Sequence, residues 1–464
     1  MDAPFVMRPL IAAIATPPGQ GGVGIIRLSG ARDAIESIAN TLLGRCPEPR
    51  YAWYTSFLGE GGEILDQGIA LYFSAPHSFT GEHILELQGH GGPAILDLLL
   101  RRCVESGARL AEPGEFTQRA FLNGKIDLAQ AEAIADTIAA TTAQAARAAV
   151  RSLTGVFSER VHGLVQRVTE LRTLIEALID FPDEELDFLT RYPIRAPLAQ
   201  ILDDVEHLLK KVHAGTWLQR GVNIVLLGAP NVGKSSLLNS LAGDDIAIVT
   251  PIAGTTRDPI RHALQIRGIP VRVVDTAGVR STEDTVERLG IERSWKEAHQ
   301  ADIVVLMQAC DDPSSAEELQ AWSNQLLPDI PRVWVYNKID AIGELPRRAT
   351  HTEGHSCVYI SARTQAGLEY FEEAVLELLH VELNPSEDTF MARTRHLDAL
   401  RLAHMHLNEA AGLWDEHIAY SVPIPLELLA ESLREAQNAL SSITGEFTAD
   451  DLLGVIFGQF CIGK

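Results

Sequence analysis

Hydrophobic and polar residues alternate with two different periods along the chain. Residues 1–122 contain short apolar runs separated by glycine and proline, with one apolar helical stretch at 94–108. Short runs of this kind are typical of strands, so the segment predicts an α+β domain. In residues 123–217, and again from residue 382 onward, apolar residues recur every three or four positions, which predicts long amphipathic helices.

The segment between the two helical blocks has a third pattern of apolar and polar residues. Residues 218–381 alternate apolar β-runs with helical segments, which indicates a parallel sheet wound by βαβ crossovers. Because similar helical blocks flank it, the simplest architecture is one helical domain with an α/β domain inserted. The predicted organisation is therefore multidomain: an N-terminal α+β domain (1–122), a helical domain in two parts (123–217 and 382–464) and an inserted α/β domain (218–381).

Composition narrows the classes of function. The 464 residues include 39 Lys and Arg against 62 Asp and Glu, a formal net charge of −23. This balance argues against broad nonspecific nucleic-acid binding but leaves a local basic patch open. The five cysteines are scattered without a C-x-x-C pair, which argues against a disulfide framework or a zinc site and fits a reducing compartment. No run approaches the length of a membrane span, so we expect a cytoplasmic protein without a membrane segment.

The strongest motif is a phosphate-binding loop. Residues Gly228–Ser235 read G-x-x-x-x-G-K-S, directly after the apolar run NIVLL and before the helical run SSLLNSLA. Backbone N–H groups of such a loop and the following helix N-terminus surround phosphate oxygens. We expect Lys234 to reach the β- and γ-phosphates and the Ser235 hydroxyl to bind Mg²⁺.

Further motifs follow in the order found in GTPases, which makes this segment a P-loop GTPase (G) domain. D-T-A-G at 275–278 follows an apolar strand, N-K-I-D at 337–340 follows another, and S-A-R at 361–363 follows a third. An aspartate carboxylate accepts hydrogen bonds from the N1–H and amino group of guanine, so the nucleotide should be GTP. The candidate GTP-binding residues are Asn231, Val232, Gly233, Lys234, Ser235, Ser236, Thr250, Pro251, Ile252, Ala253, Gly254, Thr255, Thr256, Asp275, Thr276, Ala277, Gly278, Asn337, Lys338, Asp340, Ser361, Ala362 and Arg363.

Two positions concern hydrolysis itself. Val279 stands where GTPases of the Ras type carry a glutamine that orients the attacking water, so another group must position the water. Glu287 is an acidic candidate for positioning this water. The alternative interpretation is that it is an ordinary solvated glutamate on a helix face. Thr255 and Thr256 both qualify to complete the Mg²⁺ shell, in a segment that could otherwise be a plain surface loop.

Together with these motifs, several other segments produce a resemblance to the MnmE (TrmE) family of tRNA-modification GTPases. They are ATPPGQGGVGIIRLSG, FTGEHILELQGHGG, EPGEFTQRAFLNGKIDLAQAEAIADTI, DFPDEELDF and the terminal CIGK. The resemblance implies a homodimer formed through the N-terminal domain and a heterotetramer with the FAD-containing partner MnmG (GidA). It also implies addition of a carboxymethylaminomethyl or aminomethyl group to C5 of the wobble uridine of certain tRNAs, with a one-carbon unit from tetrahydrofolate.

The same resemblance implies roles for individual residues. It implies a site for 5-formyl-tetrahydrofolate or a related reduced folate at Arg27, Glu86, Lys125 and Lys464, each of which taken singly could be a surface salt-bridge residue. It implies K⁺ bound by Asn231, Thr250, Ile252 and Thr255 in place of an arginine finger, with two G domains meeting face to face. Thr256 then joins Ser235 at Mg²⁺, and Glu287, Lys234 and Arg280 are the candidate catalytic residues, with Arg257 also supporting the switches.

Some interpretations remain open. The GTPase motifs alone also fit a ribosome-assembly switch of the Era or Der type, which would need a basic RNA-binding module that the sequence does not show. A folate aminomethyltransferase is a third interpretation, which the intact guanine motif argues against. The pattern G-x-G-x-x-G at 19–24 leads into a β-run, so we favour a loop beside the folate site over a dinucleotide site. Cys461 is either a reactive thiol or a structural one.

Overall fold

The structure is a computed structural model of the chain. It describes residues 8–180, 194–242, 261–275, 296–312, 314, 316–351, 354–381, 389–420, 424–446, 456–458, 460 and 463. The chain divides into two compact units, Met1–Ala135 with Ser441–Lys464 (unit 1) and Asp136–Leu440 (unit 2). This division falls inside two helices, whereas the sequence-based domain boundaries are 122/123, 217/218 and 381/382.

Unit 1 is built on a six-stranded mixed sheet. Its strands are β1 (Ile11–Ile14), β2 (Gly21–Gly30), β3 (Trp53–Leu58), β4 (Ile64–Phe73), β5 (His83–Gly91) and β6 (Arg109–Leu110), in the order β3-β4-β5-β2-β1-β6. Its helices are α1 (Arg32–Leu43), α2 (Pro93–Glu105) and α3 (Glu115–Leu122), and α4 (Leu128–Ala139) begins in this unit. The expected α+β composition is confirmed, but the expectation of one helical stretch was wrong, since α1 and α3 are helices as well.

The two faces of this sheet carry different residues because side chains alternate along a strand. Ile26 and Leu28 face the main core with residues of α1 and α2, such as Ile38 and Leu99. The opposite face holds a smaller cluster of Ile11, Ala13, Ala111 and Phe116. Arg27 and Ser29 alternate with Ile26 and Leu28 along β2, and Arg27 contacts Phe116 on this second face.

Unit 2 contains a seven-stranded sheet of the type that the alternating pattern predicts. Its strands are β7 (Val222–Gly228), β8 (Arg261–Ile266), β9 (Ile269–Asp275), β10 (Ile303–Ala309), β11 (Arg332–Asn337), β12 (Arg347–Thr350) and β13 (Ser356–Tyr359), in the order β12-β13-β11-β10-β7-β9-β8. The five central strands are parallel, and the edge strands β8 and β12 are antiparallel. The parallel strands are nearly continuous apolar runs because both of their faces are covered.

Helices complete both units. Those assigned to unit 2 are α5 (Ala143–Leu153), α6 (Val156–Asp180), α7 (Arg195–Arg220), α8 (Lys234–Ala242), α9 (Ala316–Gln325), α10 (Ile339–Ile342), α11 (Leu368–Leu378) and α12 (Thr394–Tyr420), and α13 (Leu426–Thr444) runs from unit 2 into unit 1. In α6 the buried positions Val161, Leu164, Val168, Leu171 and Ile175 recur at helical spacing. The predicted architecture, with an α+β segment, long helices and an α/β segment built on a parallel sheet, is confirmed.

Candidate functional site

The phosphate loop joins the end of β7 to the start of α8. Two of its glycines are required by close backbone approach: a Cβ on Gly228 would lie 2.5 Å from the Met307 carbonyl oxygen, and a Cβ on Gly233 would lie 2.1 Å from Asn337 Nδ2. Gly233 also has φ +103 and Asn231 has φ +64, both in the left-handed region. The sequence therefore encodes a loop whose backbone curls tightly in front of α8.

Lys234 occupies the inside of this loop. Its ammonium donates hydrogen bonds to the carbonyl oxygens of Gly228 at 2.7 Å and Ala229 at 3.1 Å, and the residue is only 8% exposed. Ser235 and Ser236, the next residues of α8, are exposed at the helix N-terminus. A buried cation beside a helix N-terminus and exposed hydroxyls suits a phosphate chain with its metal ion.

Asn337 connects the phosphate loop to the S-A-R segment. Its amide Nδ2 donates to the Val232 carbonyl at 2.8 Å, and its Oδ1 accepts from the backbone N–H of Ala362 at 2.9 Å. The side chain sits at the end of β11, and the residue is only 2% exposed. One buried amide thus fixes the spacing between two loops that the sequence assigns to opposite ends of the nucleotide.

Asp340 presents an ionised carboxylate in the first turn of α10. Ser361 Oγ donates to Asp340 Oδ1 at 2.6 Å, and the Arg363 guanidinium pairs with the other oxygen. The hydrogen bond from Ser361, supported by the charge of Arg363, lowers the pKa of Asp340. Arg363 is 80% exposed along its side chain, so a bound base can displace it at little cost. Lys338, at φ +67, has its Nζ 3.3 Å from Asp311.

Several predicted residues cannot be placed at this site. Thr250, Pro251, Ile252, Ala253, Gly254, Thr255, Thr256, Arg257, Thr276, Ala277, Gly278, Val279, Arg280 and Glu287 lie outside the described residues. Asp275 is described in its backbone, as the last residue of β9 paired with Leu226 of β7, but its side chain is not. The described part of the site thus comprises the phosphate loop and the segments Asn337–Asp340 and Ser361–Arg363.

In unit 1 the structure brings Arg27 and Glu86 together. They are direct partners across β2 and β5, with Arg27 Nε 2.9 Å from Glu86 Oε1. Gln88 Nε2 donates to the other Glu86 oxygen at 3.1 Å. The Arg27 guanidinium lies 5.9 Å from the ring centres of both Phe79 and Phe116. Neither phenylalanine was singled out from the sequence, because nothing in their spacing distinguishes them from core residues.

Lys125 lies next to the same region of unit 1. Its Nζ donates to the Pro76 carbonyl at 3.1 Å, and a Cβ on Gly81 would lie 3.2 Å from its Cγ. Cys461 and Lys464 lie outside the described residues, but Gly463 has φ +95 and packs so closely that a Cβ there would lie 2.2 Å from the Ile14 carbonyl oxygen. The chain end therefore reaches β1, the strand that pairs with β2.

Other signals from the sequence have ordinary structural explanations. Strand β2 begins at Gly21, so the glycine pattern at 19–24 leads into a strand, as predicted. On α12, His404 Nε2 lies 3.3 Å from a Glu206 oxygen, and His406 Nδ1 lies 2.8 Å from one of Glu409. Within the described residues there is no cluster of three or more His, Cys, Asp or Glu that could hold a metal ion. None of the described helices is long and apolar enough to cross a membrane.

Comparison with known proteins extends over the full chain. The family "GTP-binding protein TrmE N-terminus" matches residues 10–125, and "MnmE helical domain" matches residues 128–461. The tRNA modification GTPase MnmE of Thiobacillus denitrificans is 53% identical over 465 residues, covering 100% of both chains. That of Chromobacterium violaceum is 50% identical over 454 residues, covering 98% of both. Among solved structures, an Era variant of Aquifex aeolicus bound to GDP·AlF4⁻ is 26% identical over 40% of this chain and 66% of its own, with a TM-score of 0.27.

Proposed function

Because this chain belongs to the MnmE family of tRNA modification GTPases, we propose that unit 2 binds and hydrolyses GTP at the loop of Gly228–Ser235 and that unit 1 binds a reduced folate. The chain is a GTP-hydrolysing enzyme of tRNA modification, with GTP as its substrate. The observation that supports the residue assignment best is the amide of Asn337, which joins the phosphate loop to the Ser361–Arg363 segment.

The phosphate end of the proposed site depends on Lys234 and on the start of α8. A triphosphate offers Lys234 stronger acceptors than the two carbonyls that it contacts, and the N–H groups of the first turn of α8 point toward the same place. We expect Ser235 and Thr256 to bind Mg²⁺, which neutralises charge on the β- and γ-phosphates. Of these two residues, Ser235 is the one that the structure describes. Its hydroxyl is exposed at the helix N-terminus and can therefore coordinate the metal ion.

The guanine end depends on the ionised Asp340. Two carboxylate oxygens match the N1–H and the amino group of guanine, and Ser361 holds one of them in place. Adenine presents an acceptor at N1 and would leave the carboxylate facing a lone pair. We therefore expect strong preference for GTP over ATP.

Hydrolysis in this proposal requires positive charge near the phosphates without an arginine finger. Asn231 is exposed at a turn with φ +64, so its side-chain oxygen is available to a cation at the phosphate loop. We expect K⁺ there, completed by the carbonyls of Thr250, Ile252 and Thr255 and by face-to-face dimerisation of two G domains. Glu287 would position the water through its carboxylate, and Arg280 would support that segment.

The biological reaction that we propose uses both units. In complex with MnmG and its FAD, the homodimer would add a carboxymethylaminomethyl or aminomethyl group to C5 of the wobble uridine in the cytoplasm. Arg27, Lys125 and Lys464 offer cations for the glutamyl carboxylates of a reduced folate such as 5-formyl-tetrahydrofolate. Glu86 offers a carboxylate for pterin N–H groups, and its pairing with Gln88 leaves it oriented along the sheet face.

Substitution at Asp340 tests the nucleotide assignment. Asp340→Asn replaces an acceptor by an amide donor, so GTP binding should fall strongly, and xanthosine triphosphate, which has a carbonyl in place of the amino group, should bind instead. The measurement is a competition titration of both nucleotides against a fluorescent GDP derivative. Equal loss of both nucleotides would show that Asp340 only supports the fold, and unchanged GTP affinity would place the guanine elsewhere.

A further inference from the structure

One loop of unit 1 contacts two residues of the proposed folate site, Arg27 and Lys125, directly and the third described one, Glu86, through Arg27. The β4–β5 loop, residues 74–82, carries Phe79, whose ring centre lies 5.9 Å from the Arg27 guanidinium, and Pro76, whose carbonyl accepts from Lys125. Arg27 in turn pairs with Glu86. The positions of these charged side chains therefore depend on how firmly the loop is held against the sheet.

Arg119 of α3 is one of the residues that hold this loop against the rest of unit 1. Its side chain is only 3% exposed. Nη1 lies 2.8 Å from an oxygen of Glu82, the last residue of the loop, while Nη2 donates to Glu115 and to the Pro9 carbonyl, each at 2.8 Å. Ser29 of β2 donates to the same Glu82 oxygen at 2.8 Å. One guanidinium thus joins the loop, the helix and the segment before β1.

Helix α3 also contacts the arginine of the proposed site. Phe116 and Arg119 are three positions apart and so lie on one face of the helix. The Phe116 ring is 5.9 Å from the Arg27 guanidinium, while Arg119 holds the loop that brings Phe79 to it. The end of the helix adds a second tie, since Asn123 Nδ2 donates to the Thr80 carbonyl at 2.7 Å.

The charges of this cluster show which contact depends on Arg119. Glu115 is paired twice, because Arg109 also donates to both of its oxygens, at 2.6 and 2.9 Å. Glu82 has one cation among the residues that the structure describes, Arg119, and its side chain is only 11% exposed. A buried carboxylate without its cation is unfavourable, so loss of Arg119 would drive Glu82, and the loop with it, toward water.

We propose that Arg119 is a positioning residue of the reduced-folate site, which it shapes by holding the β4–β5 loop through Glu82. This inference rests on the proposed folate function. It assigns no contact between Arg119 and the ligand. The consequence is that folate affinity should depend on a residue that is itself buried beneath the site, while GTP hydrolysis in unit 2 should not.

The test uses the full chain and 5-formyl-tetrahydrofolate as the probe in isothermal calorimetry. Arg119→Met should weaken folate binding at least tenfold and lower the unfolding temperature, since it leaves the Glu82 carboxylate buried without its cation. The double variant Arg119→Met, Glu82→Gln removes both charges, and the amide that it introduces keeps an acceptor for Ser29. It should therefore recover most of the unfolding temperature but not the folate affinity. Arg109→Ala is the matched control, because it removes an arginine of the same cluster that does not contact the loop.

The outcomes separate this inference from the function on which it rests. GTP turnover of all variants should equal that of the unsubstituted chain. If the unsubstituted chain binds the folate and the double variant binds it equally well, the positioning role of Arg119 is wrong and the folate site stands. If Arg109→Ala weakens binding as much as Arg119→Met, the effect is general loss of structure and the inference fails. If the unsubstituted chain does not bind, both are wrong.

Discussion

The amide of Asn337 provides the sharpest prediction, because it makes two hydrogen bonds in a buried place. Asn337→Ala removes its donation to the Val232 carbonyl and its acceptance from the Ala362 N–H. Val232 is 4% exposed and Ala362 is 2% exposed, so water does not readily replace the lost partner. The phosphate loop and the Ser361–Arg363 segment would then no longer be held at a fixed spacing.

The size of the effect follows from ordinary hydrogen-bond energies. Each bond contributes about 0.5–1.5 kcal/mol net, and each buried group left without its partner costs about 1–3 kcal/mol. Allowing for partial relaxation, we expect a loss of about 2–4 kcal/mol of the free energy of unfolding. Because a bound nucleotide must then hold the two loops in place itself, the affinity for GTP should fall by roughly tenfold or more, that is by about 1.4 kcal/mol or more.

The assay is titration of a fluorescent GTP analogue, accompanied by urea unfolding of the same samples. Asn239→Ala is the matched control, since Asn239 is exposed on α8 in the same unit. It should bind GTP as the unsubstituted chain does. A change of less than about threefold for Asn337→Ala, on a scale where 1.4 kcal/mol is tenfold, would refute the role of this amide as the connection between the two loops.

Three further predictions concern the ion, a turn and a carboxylate. Hydrolysis should be much faster in KCl than in NaCl, because Na⁺ is too small for the cation site that we propose at Asn231; equal rates would exclude the ion. Gly268→Ala should lower the unfolding temperature, since Gly268 has φ +84 and a Cβ would lie 1.8 Å from Gln144 Oε1; an unchanged temperature would show that the turn rearranges freely. Burial opposes ionisation of Glu115, but its hydrogen bonds, led by those of Arg109, outweigh this and lower its pKa below the ordinary 4.5. The unsubstituted chain should therefore have a higher free energy of unfolding than Glu115→Gln, by an amount that is complete above pH 4.5 and falls as the pH drops through the lowered pKa. Urea unfolding of both proteins at pH 7 and below pH 4.5 measures this difference. A difference that stays constant with pH would contradict the prediction.

The parts of the fold that could be predicted are those encoded by local sequence. The phosphate loop has its glycines, lysine and flanking strand and helix within about twenty residues, so its shape follows from the motif alone. The parallel strands of unit 2 could be predicted because burial on both faces makes them continuous apolar runs. Helix α1 was missed although Ile35, Ile38, Ala39 and Leu42 have helical spacing, because the surrounding glycines suggested strands.

The parts that could not be predicted depend on contacts between distant residues. Arg119 and Glu82 are 37 positions apart, and in sequence each is an ordinary charged residue expected at the surface. Their burial follows only from the packing of α3 against the sheet and the β4–β5 loop. The same is true of Phe79 and Phe116, whose place beside Arg27 follows from tertiary packing rather than from any periodicity.

The most direct test of the account is the modification of tRNA itself. A strain that lacks its own MnmE would be supplied with this chain and the MnmG of the same source, and the nucleosides of its digested tRNA would be measured by mass spectrometry. The account predicts that carboxymethylaminomethyl- or aminomethyl-type wobble uridines return with this chain and stay absent with the Asn337→Ala variant. Continued absence of these nucleosides with a chain that hydrolyses GTP would contradict the proposed reaction and favour a GTPase switch of the ribosome-assembly type.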